Sequence, residues 1–221
     1  YVQAMFARIA PHYDRMNRLM TAGQDVRWRQ EAIRRSALPP GGRMLDLGAG
    51  TGDLAAEALR QFPGRVVIAA DFTVEMMTIG RTLKDASLAW SAADALHLPF
   101  ADASFDALVS GYLLRNVSSL QQALGEQHRV LKPGGRLVAL DTTRPPRSPL
   151  SPLINFHLHT VIPALGRLLT GETEAYTYLP DSTQEFLSAE QLAARLVRAG
   201  FRQVGFRRLM FGTMALHWGV K

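Results

Sequence analysis

Three glycines at alternate positions, Gly48, Gly50 and Gly52, stand between an apolar run ending Asp46-Leu47 and a helix-forming stretch that opens with Asp53. Glycine lets a main chain turn through positive φ and lets a ligand approach where a Cβ would block it. Asp71 lies 25 residues beyond Asp46, at the end of a second apolar run, Val66–Ala70. That is close to the acid spacing of a nucleotide-binding βαβ unit, where a carboxylate accepts from ribose hydroxyls. Asp94 follows a third short run, the Ser110–Asn116 segment a fourth, and Asp141 ends a fifth. Ligands of open α/β sheets bind outside the carboxyl ends of the strands, so these groups are expected at one rim.

The glycine spacing excludes the common phosphate cradles. It is not G-x-G-x-x-G, and no Lys-Ser/Thr follows as in a P-loop. Asp53 opens the helix where a pyrophosphate would sit and is expected to repel one. A ligand with a ribose, an adenine and a positive centre but no phosphate fits better, and S-adenosylmethionine is such a molecule. Asp71 would accept from its ribose hydroxyls, and Asp94 with the Ala95 amide would meet the adenine edge. Asp46 and the loop of Gly48, Gly50, Thr51 and Gly52 would face the methionine part. Phe72, Met76 and Gly111 complete the expected cofactor set.

The elements that must position these groups follow from periodicity. Strands are expected at 43–47, 66–70, 88–90, 104–110 and 136–140, with helices at 54–62, 73–84 and 120–131 between them. Lys132-Pro133-Gly134-Gly135 reads as a sharp stop before the fifth strand. Strands joined by helices in this rhythm imply a parallel sheet with helices on both faces. Ser188 with Gln191 makes a capping box for a helix to Ala199. The stretches 201–209 and 214–219 read as two closing strands joined through Gly212. Residues 1–38 read as helical and could fold over the cofactor loop as a lid or pack on the sheet. Residues 142–187 break the rhythm. This insertion carries an apolar, His-bearing stretch at 150–169, which suits a tunnel for an apolar tail, a membrane-facing helix or an ordinary buried helix.

Composition bounds the rest. The 221 residues, 47% of them hydrophobic, suit one domain spanning 1–221. With no Cys, disulfides and thiolate metal sites are excluded, and no metal site is expected from His157 and His159. No run of about 18 apolar residues marks a transmembrane helix. Tyr1 is not an initiator residue, so the numbering is expected to start inside a longer chain. The net charge of +6 is spread over Arg27, Arg29, Arg34, Arg35, Arg202, Arg207 and Arg208 without a block. It reads as a solvated basic surface or a face for anionic membrane. No nucleic-acid partner is expected, because no basic stretch is interleaved with aromatics.

These motifs carry a resemblance over nearly the whole chain. The glycine loop with its acids is similar to class I S-adenosylmethionine-dependent methyltransferases. More closely, the chain resembles the ubiquinone/menaquinone biosynthesis C-methyltransferases. Tyr13-Asp14-Arg15-Met16-Asn17 with Trp28 looks like that family's amino-terminal signature. Leu114-Arg115-Asn116-Val117 looks like its motif after strand four, and Arg129–Leu137 like its second signature. Tyr176-x-Tyr178-Leu179-Pro180-x-Ser182 and Ala215-Leu216-His217-x-Gly219 look like its carboxyl-terminal ones. The chain departs from the pattern at Asp25 (usually His), at Gly111 (commonly Ser) and at Leu113 (commonly Gly). It departs again at Asp141-Thr142-Thr143, where Glu-x-Ser is usual.

The resemblance implies a Rossmann-like three-layer sandwich whose mostly parallel seven-stranded sheet ends in an antiparallel hairpin. It implies methyl transfer from S-adenosylmethionine to a ring carbon of a polyprenylated quinol, most closely demethylmenaquinol. In chemical terms the ring must lose a phenolic proton, and a cation beside the phenolate would stabilise it. Arg115 can be that cation, with Asn116 holding a water or the ring oxygen; alternatively Arg115 pairs with a rim acid and Asn116 caps the next helix. Tyr13, Asn17, His159, Tyr176 and Tyr178 are the candidate substrate contacts. A cytoplasmic enzyme touching the membrane peripherally, with a lipophilic quinol as substrate and a homodimer as the oligomer, is the expectation. The rivals are a methyltransferase on another aromatic or lipid acceptor, and a non-catalytic cofactor-binding partner in a quinone-synthesis assembly.

Overall fold

A computed structural model describes residues 13–84, 87–146, 149, 151–164 and 182–221. Its sheet has seven strands in the order β3-β2-β1-β4-β5-β7-β6. These are β1 (Arg43–Leu47), β2 (Val66–Asp71), β3 (Ala89–Ala92), β4 (Phe105–Gly111), β5 (Leu131–Thr142), β6 (Arg202–Leu209) and β7 (Met214–Val220). The first five are mutually parallel, and β7 runs antiparallel to both β5 and β6. The order reverses between β1 and β4, which makes their carboxyl ends the switch point where a ligand crevice forms.

The central strands are buried on both faces and read as continuous apolar runs, as parallel strands under helices must. One core face gathers Leu45, Leu108, Leu124 and Leu137; the other gathers Met44, Val67, Val109 and Val138. Helices α3 (Asp53–Gln61), α4 (Val74–Leu83) and α5 (Leu120–Val130) connect the parallel strands. Ser119 caps α5 by accepting from the Gln122 amide. Beyond them, α6 (Ser151–Phe156) runs into a π-helical turn at His157–Val161, and α7 is Ala189–Arg198. The Ser188–Gln191 capping box forms in full, and the closing hairpin turns through Gly212 at φ +87°.

Two expectations change. The helix before Lys132–Gly135 does end, at Val130, but the stretch itself belongs to β5, one strand from Leu131 to Thr142, bulged where Phe105 pairs Leu131 and Ala107 pairs Arg136. Proline and two glycines mark a bulge here as readily as an end. The amino-terminal helices also divide. Of the described part, α1 is Tyr13–Met20 and α2 is Gln24–Ser36. Helix α2 buries Trp28, Ala32 and Ile33 in the same core as Met44, Val67 and Val138. It is a layer of the sandwich rather than a cover over it. The insertion at 142–187 is described at 142–146, 149, 151–164 and 182–187.

Candidate functional site

Asp71, the last residue of β2, organises the glycine loop. Its Oδ2 accepts from the Gly50 amide at 2.7 Å and its Oδ1 from the Thr73 amide at 2.7 Å. The Gly48 and Ala49 amides reach back to the Ala70 carbonyl at 2.8 and 3.0 Å. Gly50 turns at φ +56°, and a Cβ there would meet Met76 Cε at 3.1 Å. The loop therefore folds back on the end of β2 and leaves its main chain open towards a cavity of about 530 Å³. That volume suits a cofactor-sized ligand.

Ten of the expected residues line this cavity: Gly48, Gly50, Thr51, Asp71, Phe72, Met76, Asp94, Ala95, Gly111 and Asn116. Asp71 fits a ribose diol. Burial pushes its pKa up despite hydrogen bonds from the Thr73, Gly50 and Phe72 amides and the Thr73 side chain. Asp94 accepts from the Leu96 amide at 2.9 Å, which sets the Ala95 backbone at the cavity edge.

Asp46 does not reach the cavity and corrects the expectation of a methionine contact. It is fully buried, and its Oδ2 accepts from the Ala55 amide at 2.9 Å, anchoring the first turn of α3 beneath the loop. Burial pushes its pKa up to about 7. Gly52 also lies behind the lining, where a Cβ would come within 2.7 Å of the Trp90 ring. Asp53 lines the cavity but is not a bare anion, because Arg29 and Lys84 both hydrogen-bond to it. Burial works to raise its pKa, yet these two cations outweigh it and hold the carboxyl below its ordinary range. Contrary to expectation, Asp53 therefore presents no unbalanced negative charge to repel a phosphate.

Asn116 and Arg115 part company. They share a 3₁₀ turn, Leu114–Asn116, at the end of β4. Asn116 edges the cavity and donates from Nδ2 to the Tyr112 carbonyl at 2.8 Å. The Arg115 side chain is 1% exposed, lies outside the cavity lining, and donates to Asp141 Oδ1 at 2.8 Å. Asp141 Oδ2 takes the Leu114 amide at 2.8 Å, so one carboxylate clamps the whole turn. This is the rim-acid pairing that the sequence left open.

The remaining substrate candidates are dispersed. Asn17 is buried in α1, and its carbonyl accepts from Thr21. His159 is exposed and pairs with Gln184 at 2.6 Å. Tyr176 and Tyr178 lie outside the described residues, as does the Tyr13 side chain. The sequence missed three cavity residues of consequence: Arg29, Tyr112 and Leu113. Tyr112 sits at φ +59°, a conformation no spacing rule announces in a tyrosine. Arg29 belongs to a helix whose apolar face (Trp28, Ala32, Ile33) was countable, and that face would have turned it towards α3.

Fold and cavity together define a class I methyltransferase architecture. Among solved structures, a methyltransferase from Thermotoga maritima described as a candidate histamine N-methyltransferase matches with a TM-score of 0.71 and 21% identity, covering all of both chains. The [4+2]-cyclase SpnF matches at 0.72 with 19% identity, covering 100% of this chain and 94% of its own. The same frame thus hosts more than one chemistry. Sequence narrows it. The model of the ubiE/COQ5 methyltransferase family matches residues 1–221, and the chain belongs to that family. The ubiquinone/menaquinone biosynthesis C-methyltransferase UbiE of Desulfotalea psychrophila is 45% identical, over 100% of this chain and 90% of the relative. The demethylmenaquinone methyltransferase of Thermus thermophilus is 42% identical, over 97% and 99%.

Proposed function

We infer that this protein methylates a ring carbon of a polyprenylated quinol in quinone biosynthesis, with S-adenosylmethionine as methyl donor and demethylmenaquinol as acceptor. The observation that carries the reading is that one cavity is lined both by the nucleoside-binding groups and by Asn116, which the clamped Leu114–Asn116 turn presents. Bound S-adenosylmethionine supplies a methyl group on a positively charged sulfur. Asp71 and the Asp94–Ala95 turn hold the nucleoside, and the glycine loop supplies close main chain.

The acceptor side is built by Tyr112, Leu113 and Val117 after β4, a largely apolar wall suited to a fused aromatic ring. Orientation of the ring carbon supplies much of the acceleration, up to ~7–11 kcal/mol in ideal cases. Asn116 is the polar group of that wall and is assigned to a ring oxygen. Arg115 is a positioning residue: paired with Asp141, it fixes the turn that presents Asn116 rather than touching the ring. Exposed apolar side chains follow β2 (Phe72 and Val74), β5 (Leu153 and Phe156) and β6 (Phe211). They support delivery of the acceptor from a lipid surface touched peripherally. Among the described residues no helix is long and apolar enough to cross a membrane.

The test is a panel of prenylated naphthoquinols and benzoquinols, kept reduced, incubated with the protein and S-adenosylmethionine. S-adenosylhomocysteine should accumulate with the naphthoquinol acceptor. Accumulation that ignores the acceptor, or none with any quinol, overturns the reading.

A further inference from the structure

Arg29 and Asp53 meet on the cavity wall from two different elements, α2 and the first residue of α3. Arg29 is fixed from behind by Asp25, whose fully buried carboxylate lies 3.2 Å from Nη1 and accepts from Thr21 Oγ1 at 3.1 Å. Asp53 is flanked on its other side by Lys84. Among the described residues two acids, Asp25 and Asp53, and two bases, Arg29 and Lys84, are thus paired here, and one acid and one base of them face the cavity. Such a pair suits neither a free anion nor a free cation, since each meets a like charge beside its partner. It matches a zwitterion, whose two charges answer both.

We propose that Arg29 holds the α-carboxylate of the cofactor's amino-acid end and that Asp53 receives its ammonium group, a binding subsite contributed by the amino-terminal helices. This rests on the reading of the cavity as an S-adenosylmethionine site. Guanidinium recognises a carboxylate with two parallel N–H donors and stays charged when buried. Because α2 is a core layer, the subsite exists before the cofactor arrives. Asp25 has the further task of aiming the Arg29 fork while Arg29 faces the cavity.

Two nucleosides separate this subsite from the rest of the cavity. S-adenosylhomocysteine carries the amino-acid end, and 5′-methylthioadenosine lacks it. Calorimetry on Arg29→Met should show S-adenosylhomocysteine affinity falling at least about 10-fold while methylthioadenosine stays within about twofold. If both fall equally, or S-adenosylhomocysteine is unaffected, the inference is overturned. Should Arg29→Met fail to fold for want of a cation beside buried Asp25, the Asp25→Asn/Arg29→Gln double variant removes both charges together. The same selective loss is expected, and unchanged S-adenosylhomocysteine affinity overturns the assignment. If the native protein binds neither nucleoside, the cofactor reading itself fails; if it binds them and the Arg29 variants do not discriminate, only this inference does.

Discussion

Asp141 accepts the Arg115 guanidinium at 2.8 Å in a pair whose two side chains are each 1% exposed. The same carboxylate accepts the Leu114 and Thr142 amides at 2.8 Å each. A buried charge is strongly destabilising once its partner is removed, by about 3–5 kcal/mol. Asp141→Ala strips Arg115 of its counter-charge and should lower the melting temperature by roughly 6–20 °C for a domain of this size. Arg115→Met leaves Asp141 with its main-chain donors and should lose less, about 1–3 kcal/mol. Thermal scans of both variants decide the order. For Arg115→Met, turnover should fall while the calorimetric affinity for S-adenosylhomocysteine stays near native, because the turn, not the nucleoside site, is disturbed.

Asp71→Asn keeps an acceptor for one amide and loses the charge that a ribose diol would find. Charge-assisted hydrogen bonds contribute about 1.5–3 kcal/mol each, so the affinity for S-adenosylhomocysteine should fall by roughly 10–100-fold. Native affinity measured by calorimetry would remove Asp71 from the site.

Asp46 links pH to stability. Its folded pKa is raised to about 7 from an ordinary 3.8, chiefly by burial. The folded state therefore holds this proton more tightly than the unfolded chain. The group's contribution is complete below about pH 4, is lost as the pH rises to about 7, and stays lost above it. Asp46→Asn keeps an acceptor for the Ala55 amide and has nothing to titrate. Its stability relative to the native chain should climb by up to ~4 kcal/mol between about pH 4 and pH 7 and then level off. Urea unfolding across that range would show it, and parallel curves would contradict it.

Gly52 holds φ +84°, with the Trp90 ring where a Cβ would stand. Gly52→Ala meets both the left-handed penalty of about 1–2 kcal/mol and the ring. A loss of at least about 2 kcal/mol is expected, with a tryptophan emission change that vanishes in a Trp90→Phe background.

Much of this was legible in the sequence, and the reasons are specific. Strand β1 and the Ser188–Gln191 cap depend on local chemistry, periodicity in one case and a reciprocal side-chain bond in the other. The acids at the rim followed from strand polarity alone. What was not legible depends on tertiary partners. Lys132–Gly135 breaks any isolated strand, yet pairing resumes at Arg136 because β4 is alongside. Arg115 reads as a catalytic cation until Asp141, 26 residues later, is found against it. Asp53 reads as a bare anion until Arg29 and Lys84 close on it from α2 and the end of α4. Spacing names the residue types at a site; it does not say which charges neutralise one another there.

Carbon methylation of a reduced ring can be read directly from one spectrum. The protein is incubated with dithionite-reduced demethylmenaquinol and S-adenosylmethionine labelled with carbon-13 at the transferred methyl, and the extracted lipid is read by carbon NMR. A new methyl signal bonded to a ring carbon, absent when the acceptor is kept oxidised, is the predicted result. A methoxy signal, or label transferred equally to the oxidised quinone, would contradict it.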